Sequence, residues 1–241
     1  MKKIVLLVFL SLLSFLKKKK KTQSRADSIL NLIKKHPQKD TTKVNLLNEY
    51  FSLKLYENPD STIIKYVEEA LLISQKISYQ AGIAFSLQRI GIAYQYLLND
   101  QKKAIDYYHK SIAETARITD EKLKKKINNS NNGNIANIYL DMGDYKNSIA
   151  TYQKIITTIK SEKTVFLAQV YGNIGISYNY LENYNKAIYY FKLSIEVAKQ
   201  LKATTIEANS LSSLSNCLAK TGKIKEAVIA LEKSLVLVET N

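Results

Sequence analysis

Proline is nearly absent. The chain has 2, Pro37 and Pro59, and from Asp60 to Asn241 none interrupts a helix. Glycine is scarce as well, with 7 residues in 241, so the composition reads as all-α. The single cysteine, Cys217, excludes an intramolecular disulfide and says little about redox compartment. His36 and His109 are the only histidines, and neither has a metal-binding spacing such as His-Glu-x-x-His. Acidic residues are outnumbered, 21 against 36 basic, for a formal net charge of +15.

What is present begins with 46% hydrophobic content, too rich for a disordered chain. Lys2, Lys3 and the run Lys17 to Lys21 supply 7 of the basic residues, leaving 29 basic against 21 acidic elsewhere. Those lysines alternate with acidic and polar residues at helical spacing, as in "DQKKAIDYYHKS". That is the pattern of a solvated helix surface, and a basic concave surface facing an acidic partner is the alternative.

The chain opens "MKKIVLLVFLSLLSFL", two lysines before an apolar run from Ile4 to Leu16. As a helix this run spans only about 20 Å, short of a ~30 Å hydrocarbon core. A basic start and short apolar run are the layout of an export signal. The small-residue cleavage region is missing, however, and the lysines that replace it oppose translocation. Residues 1–23 are therefore expected to be a signal peptide or a membrane-tethering segment, with membrane association through residues 1–21. The protein is then exported or tethered in a bacterial cell envelope rather than cytoplasmic.

Small residues recur at Gly91, Ala136, Gly175 and Ser215, spaced by 45, 39 and 40. Three residues after each stands Tyr94, Tyr139, Tyr178 or Leu218. A second series, Ala104, Ser148, Ala187 and Ala227, keeps nearly the same period and is followed at i+4 by Tyr108, Tyr152, Phe191 and Leu231. Ser111, Ile155, Ser194 and Ser234 come three residues later still. Residues at i, i+3, i+4 and i+7 share a helix face, so each period holds two amphipathic helices. The small side chains let the two approach while the aromatic fills the space beside them. Connections such as "LLND", "DMGD", "LENY" and "KTGK" offer Asn99, Gly143, Asn183 and Gly222 for the left-handed conformation that ends a helix. One helix pair cannot bury both its faces, so pairs must stack.

This pattern resembles the tetratricopeptide repeat. Its signature is met by Tyr171, Ile174, Gly175, Tyr178, Ala187 and Phe191, with further copies around Gly91, Ala136 and Ser215. The resemblance implies an all-α, right-handed superhelical stack of about five antiparallel helix pairs over residues 24–241, in units near 41–78, 79–119, 121–162, 164–202 and 204–240. Three departures carry expectations of their own. The period is 39 to 40 rather than 34, so the helices should be longer. Asn132 stands where a large apolar residue anchors the first helix, which should fray at its start or shift register. Ile63 occupies a small-residue position, so packing there should be looser or shifted. Long-helix repeats of this kind are similar to the input regions of bacterial two-component signalling proteins.

Catalytic constellations are lacking. Glu68 and Glu69 are adjacent and diverge on a helix, and "GNIG" has neither the strand nor the spacing of a phosphate loop. No cofactor, metal, enzymatic activity or nucleic-acid partner is expected. By resemblance, the first helices line a concave groove that holds a protein or peptide segment. The candidate contacts are Arg89, Gln95, Asn134, Asn137, Asn173, Ile176, Asn179, Tyr180, Asn209 and Asn216. Asparagine costs roughly half a kcal/mol relative to alanine within a helix, so its recurrence suggests a compensating contact with a ligand backbone. Gly172 should lie near the groove and admit that backbone. An input or dimerisation module is the alternative function. Leu235 and its apolar neighbours at the C-terminal end would suit a continuation of the chain or a homodimer contact.

Overall fold

The computed structural model describes residues 25–57, 59–159 and 161–239. The export or tethering segment expected over 1–23 lies outside them. Among the described residues there is no strand, and the helices pack in adjacent pairs. The chain divides into two compact units, Met1–Asn131 and Asn132–Asn241. The first holds α1 (25–35), α2 (Thr41–Glu57), α3 (Ile64–Lys76), α4 (Gln80–Tyr96), α5 (Gln101–Glu114) and the start of α6 (Glu121–Asp141). The second holds the rest of α6 with α7 (Tyr145–Ile159), α8 (Val165–Tyr180), α9 (Tyr184–Gln200), α10 (Thr204–Lys220) and α11 (Ile224–Glu239).

The turns within pairs explain why these sequences stop and restart helices so abruptly. At 181–183, the Asn183 amide donates to the Tyr178 carbonyl at 2.9 Å, closing α8. The Asn183 side chain accepts from the Lys186 amide at 3.3 Å, capping α9. Asp144 does both jobs between α6 and α7, and Asp100 between α4 and α5. Asn99, Gly143 and Gly222 take the left-handed conformation, as their placement in the sequence implies. In the "LENY" turn the left-handed residue is Glu182, at φ 55°, and not Asn183. The cap position needs a non-left-handed backbone, and Asn183 sits there at φ −85°.

Close approach sets the pair geometry. A Cβ placed on Gly91 would stand 2.7 Å from Tyr108 Cε1, and one on Gly175 would stand 2.7 Å from Phe191 Cε1. Both rings are wholly enclosed. Ala136 and Tyr152 are buried in the same way at the corresponding positions. The copy around Ser215 differs: Leu231 is 44% exposed on α11, and Ala227 and Ala230 make the buried contact instead.

A buried serine then ties each of three pairs. Ser111 Oγ donates to the Ala84 carbonyl at 2.6 Å, Ser194 to Ala168 at 2.8 Å and Ser234 to Ala208 at 2.8 Å. Each acceptor lies on the first helix of the same pair. Ser111 also accepts from Asn131 Nδ2 at 2.9 Å, and Ser194 pairs with Ser210 at 2.8 Å. One hydroxyl thus joins both helices of its pair to the first helix of the next, although Asn131 Oδ1 stays buried without a hydrogen-bond partner among the described residues. Ile155, fourth in that series, has no hydroxyl and packs in an apolar cluster with Tyr152 and Leu167.

The fraying arm of one sequence expectation and the loose-packing arm of another fail here. α6 does not fray at Asn132: the helix is already under way from Glu121, where Asp120 accepts from the Leu123 amide at 3.0 Å. Ile63 is not loosely packed. It lies in a 3-10 turn ahead of α3, capped by Asp60, and is buried against Phe51, Val67 and Ile90.

Gly175→Leu should destabilise the fold by about 1–3 kcal/mol through overpacking against Phe191. Ser194→Ala should cost about the same by leaving buried polar groups short of partners. Thermal melts followed by circular dichroism measure both. An unchanged midpoint for Gly175→Leu would remove the close-approach role.

Candidate functional site

In the second unit, α8 is linked by polar side chains to α6 on one side and to α10 on the other. Asn173 Nδ2 donates to Asn137 Oδ1 at 3.0 Å and to Tyr152 Oη at 2.7 Å. Tyr152 Oη in turn donates to Asn137 Oδ1. This triad fixes the orientation of both amides. It also leaves Asn137 Nδ2 as a donor and Asn173 Oδ1 as an acceptor, neither with a further hydrogen bond among the described residues. Toward α10, Asn179 Oδ1 accepts from Cys217 Sγ at 3.3 Å.

The other candidates fall into distinct settings. Asn209 and Asn216 are exposed on α10, seven residues apart and so on nearly one side of the helix. Tyr180 is 60% exposed, its ring stacked on Tyr145 at 4.9 Å. Ile176 is partly buried against the cluster of Leu211, Leu214 and Cys217, so much of its side chain is committed to packing. Asn134 is partly buried. Gly172 is not at the groove. A Cβ there would meet Ser194 Oγ at 3.4 Å and Ser210 Oγ at 3.7 Å, which puts the glycine inside the junction of α8, α9 and α10.

In the first unit, Gln95 is buried and its Oε1 accepts from Tyr108 Oη at 2.8 Å. Arg89 is partly buried, and its Nη1 donates to Gln88 Oε1 at 3.1 Å. Gln88 is itself buried and donates to Ser130 Oγ at 3.0 Å. The two phenols are the functional groups that pattern reading missed. It assigned Tyr108 and Tyr152 to the core by periodicity, and their rings are there. Tyrosine at positions where the third copy carries Phe191 was the available signal that a hydroxyl mattered.

Most other tyrosines are packing residues. Tyr94 stacks on Tyr107 beneath Lys103, and Tyr178 stacks on Tyr190 beneath Lys186. α11 carries an uncovered stripe: Ile224, Val228, Leu231, Leu235 and Val238 are all 44% exposed or more. Among the described residues no three His, Cys, Asp or Glu side chains gather as a metal site, and no helix is long and apolar enough to cross a membrane.

Comparison with known proteins follows the repeat. The tetratricopeptide repeat family model matches residues 127–200 and 166–239. The human G-protein-signaling modulator 1 is 25% identical over 91 residues, which is 38% of this chain and 13% of that protein. The chain therefore spans only a small part of that relative. Among solved structures, BtubC (BKLC) from P. vanneervenii aligns with a TM-score of 0.73 at 13% identity, over 92% of this chain and 89% of that one. A signal transduction ATPase with numerous domains and a tetratricopeptide repeat sensor, from Pyrococcus horikoshii, aligns at 0.70 and 18% identity. That match covers 82% of this chain and 31% of the ATPase. At these identities the structural likeness is one of fold.

Burial pushes the Cys217 thiol up to about 11. Since the thiolate is the nucleophile, alkylation by iodoacetamide at pH 8 should be slow in the folded protein and rapid in denaturant. Mass spectrometry of timed samples measures this; fast labelling without denaturant would place Cys217 outside the packed junction.

Proposed function

We infer that this tetratricopeptide-repeat protein is a noncatalytic scaffold that binds a protein or peptide segment along the face lined by α6, α8 and α10. The observation that carries the reading is the Asn137–Tyr152–Asn173 triad. Internal hydrogen bonds hold its two amides rigid while leaving one donor and one acceptor unused. A fixed donor beside a fixed acceptor complements the alternating C=O and N–H groups of an extended backbone, whatever its sequence. Preorganisation reduces the ordering cost of binding. Asn209, Asn216 and Tyr180 extend the same offer on exposed positions.

Random twelve-residue peptides displayed on phage and selected against the full chain test this reading. Asn137→Asp keeps the acceptor oxygen that Tyr152 and Asn173 need but removes the outward donor. It should leave the melting midpoint nearly unchanged and weaken the selected peptides roughly tenfold or more. Equal affinity for Asn137→Asp and Asn216→Ala would overturn the assignment of this face.

A second reading, an input or dimerisation module of a signalling protein, is favoured by the stripe on α11. Its spacing of four, three, four and three residues is that of a two-helix seam. Packed antiparallel on a second copy, α11 would set Lys225 of one chain against Glu239 of the other, although Glu232 would meet its own counterpart. Sedimentation velocity should then show a dimer that Leu231→Glu with Leu235→Glu converts to monomer. A monomer at all concentrations for the unaltered chain would end this reading.

A further inference from the structure

The first unit carries its net charge at one end. Asn48 Nδ2 donates to Ser86 Oγ at 3.0 Å and Gln88 Nε2 to Ser130 Oγ at 3.0 Å, so α2, α4 and α6 run side by side and begin level with one another. Lys43 Nζ donates to the carbonyls of Ile33 at 2.6 Å and His36 at 3.0 Å, which brings the finish of α1 to the start of α2. The connections 34–40, 76–79 and 114–126 therefore share one end of the unit. Residues 25–131 hold 17 basic and 12 acidic side chains. Those three connections contain 9 of the basic and 4 of the acidic ones, and the remaining 8 and 8 cancel. The four carboxylates are already engaged. Asp40 accepts from the Lys43 amide and from His36, and Asp120 accepts from the Leu123 amide. Glu114 pairs with Arg117 at 3.0 Å and Glu121 with Lys124 at 3.1 Å.

Helix stability does not ask for this arrangement. Lys122, Lys124, Lys125 and Lys126 crowd the first two turns of α6, where the helix dipole favours carboxylates. Of the 9 basic residues 8 are lysines, mobile point charges without the fork that reads a fixed carboxylate or phosphate. Aliphatic side chains stand among them: Leu32 and Leu72, in the last turns of α1 and α3, are 49% and 67% exposed, and Ile77 is 36% exposed. The exposed tyrosines of this unit, Tyr56 and Tyr96, finish α2 and α4 at the opposite end. No exposed aromatic platform for stacking bases thus adjoins the lysines. Three first helices packed 8–10 Å apart spread the array over roughly 20 Å, the scale of a surface rather than of one bound group.

We propose that this end of the first unit rests on anionic lipid headgroups. The lysines meet the phosphates, and Leu32, Leu72 and Ile77 enter the apolar boundary just below them. A fluid anionic sheet needs many loosely held charges and a few aliphatic side chains, which is the composition found here. The assignment is independent of the scaffold reading and of residues 1–23.

Flotation of the full chain with vesicles of phosphatidylcholine, alone or with about a third phosphatidylglycerol, tests the proposal alongside a variant carrying Lys122→Glu and Lys126→Glu. Both changes suit the start of a helix, so the variant should melt no lower than the unaltered chain. Its affinity for the anionic vesicles should be about tenfold lower or less still, and added salt should weaken the unaltered chain. Acetylation of lysines, read by mass spectrometry, needs no variant. Anionic vesicles should shield Lys34, Lys76, Lys122 and Lys126 and leave Lys65 and Lys102, at the opposite end, as reactive as before. Unshielded lysines at the basic end, or equal affinity of the folded variant, would overturn the proposal and assign any vesicle binding to other parts of the chain. Equal binding to both kinds of vesicle would also overturn it. Short single-stranded DNA or polyglutamate that shields the same lysines where vesicles do not would overturn it in favour of a soluble polyanion.

Discussion

Each helix pair depends on how near the first helix lets the second come. At Gly91 and Gly175 the absent side chain is replaced by the edge of an aromatic ring from the facing helix, at a distance that even a methyl group would violate. That proximity also brings Ser111 and Ser194 within reach of a carbonyl on the opposite helix. The apolar contact and the polar one are therefore a single arrangement. Move the helices apart and the ring loses its seat while the hydroxyl loses its acceptor. Because the same hydroxyls touch Asn131 and Ser210 on the following helices, the spacing inside one pair bears on the placement of the next.

The polar residues of the first helices divide by what the fold has already asked of them. Asn137, Asn173 and Gln95 each give one part of an amide to internal hydrogen bonds and keep the other. Such half-committed amides cost little rotamer entropy when a ligand arrives, since the protein has already restrained them. Asn209 and Asn216 are exposed and lack that restraint. A ligand would meet a firm centre on α6 and α8 and a more adaptable margin on α10.

Much of the fold was legible because small residues at helix contacts leave a mark in the sequence. The recurrence of Gly91, Ala136, Gly175 and Ser215 located the helix pairs without reference to any loop. Other features depend on where a side chain points, and there the pattern was silent. Gly172 and Gly175 are three residues apart and look alike on paper. One faces the Phe191 ring, and the other faces serines from two neighbouring helices. Asn183 and Glu182 were equally hard to tell apart, since either tolerates a turn, and only the capping bond to Lys186 decides between them. The candidate site was legible as a list of asparagines but not as a device. Asn137 and Asn173 lie far apart in the chain, and Tyr152, which joins them, carries the outward appearance of a core residue.

The residue shared by two helix ends has a consequence for how such a protein diversifies. Asp100, Asp144 and Asn183 each close one helix with the backbone and open the next with the side chain. A segment inserted at these junctions would part the two bonds and uncap both helices at once. Loops, the usual ground for trying new ligands, are closed to experiment here. Any change in a bound segment would have to be accommodated one side chain at a time on the helices themselves.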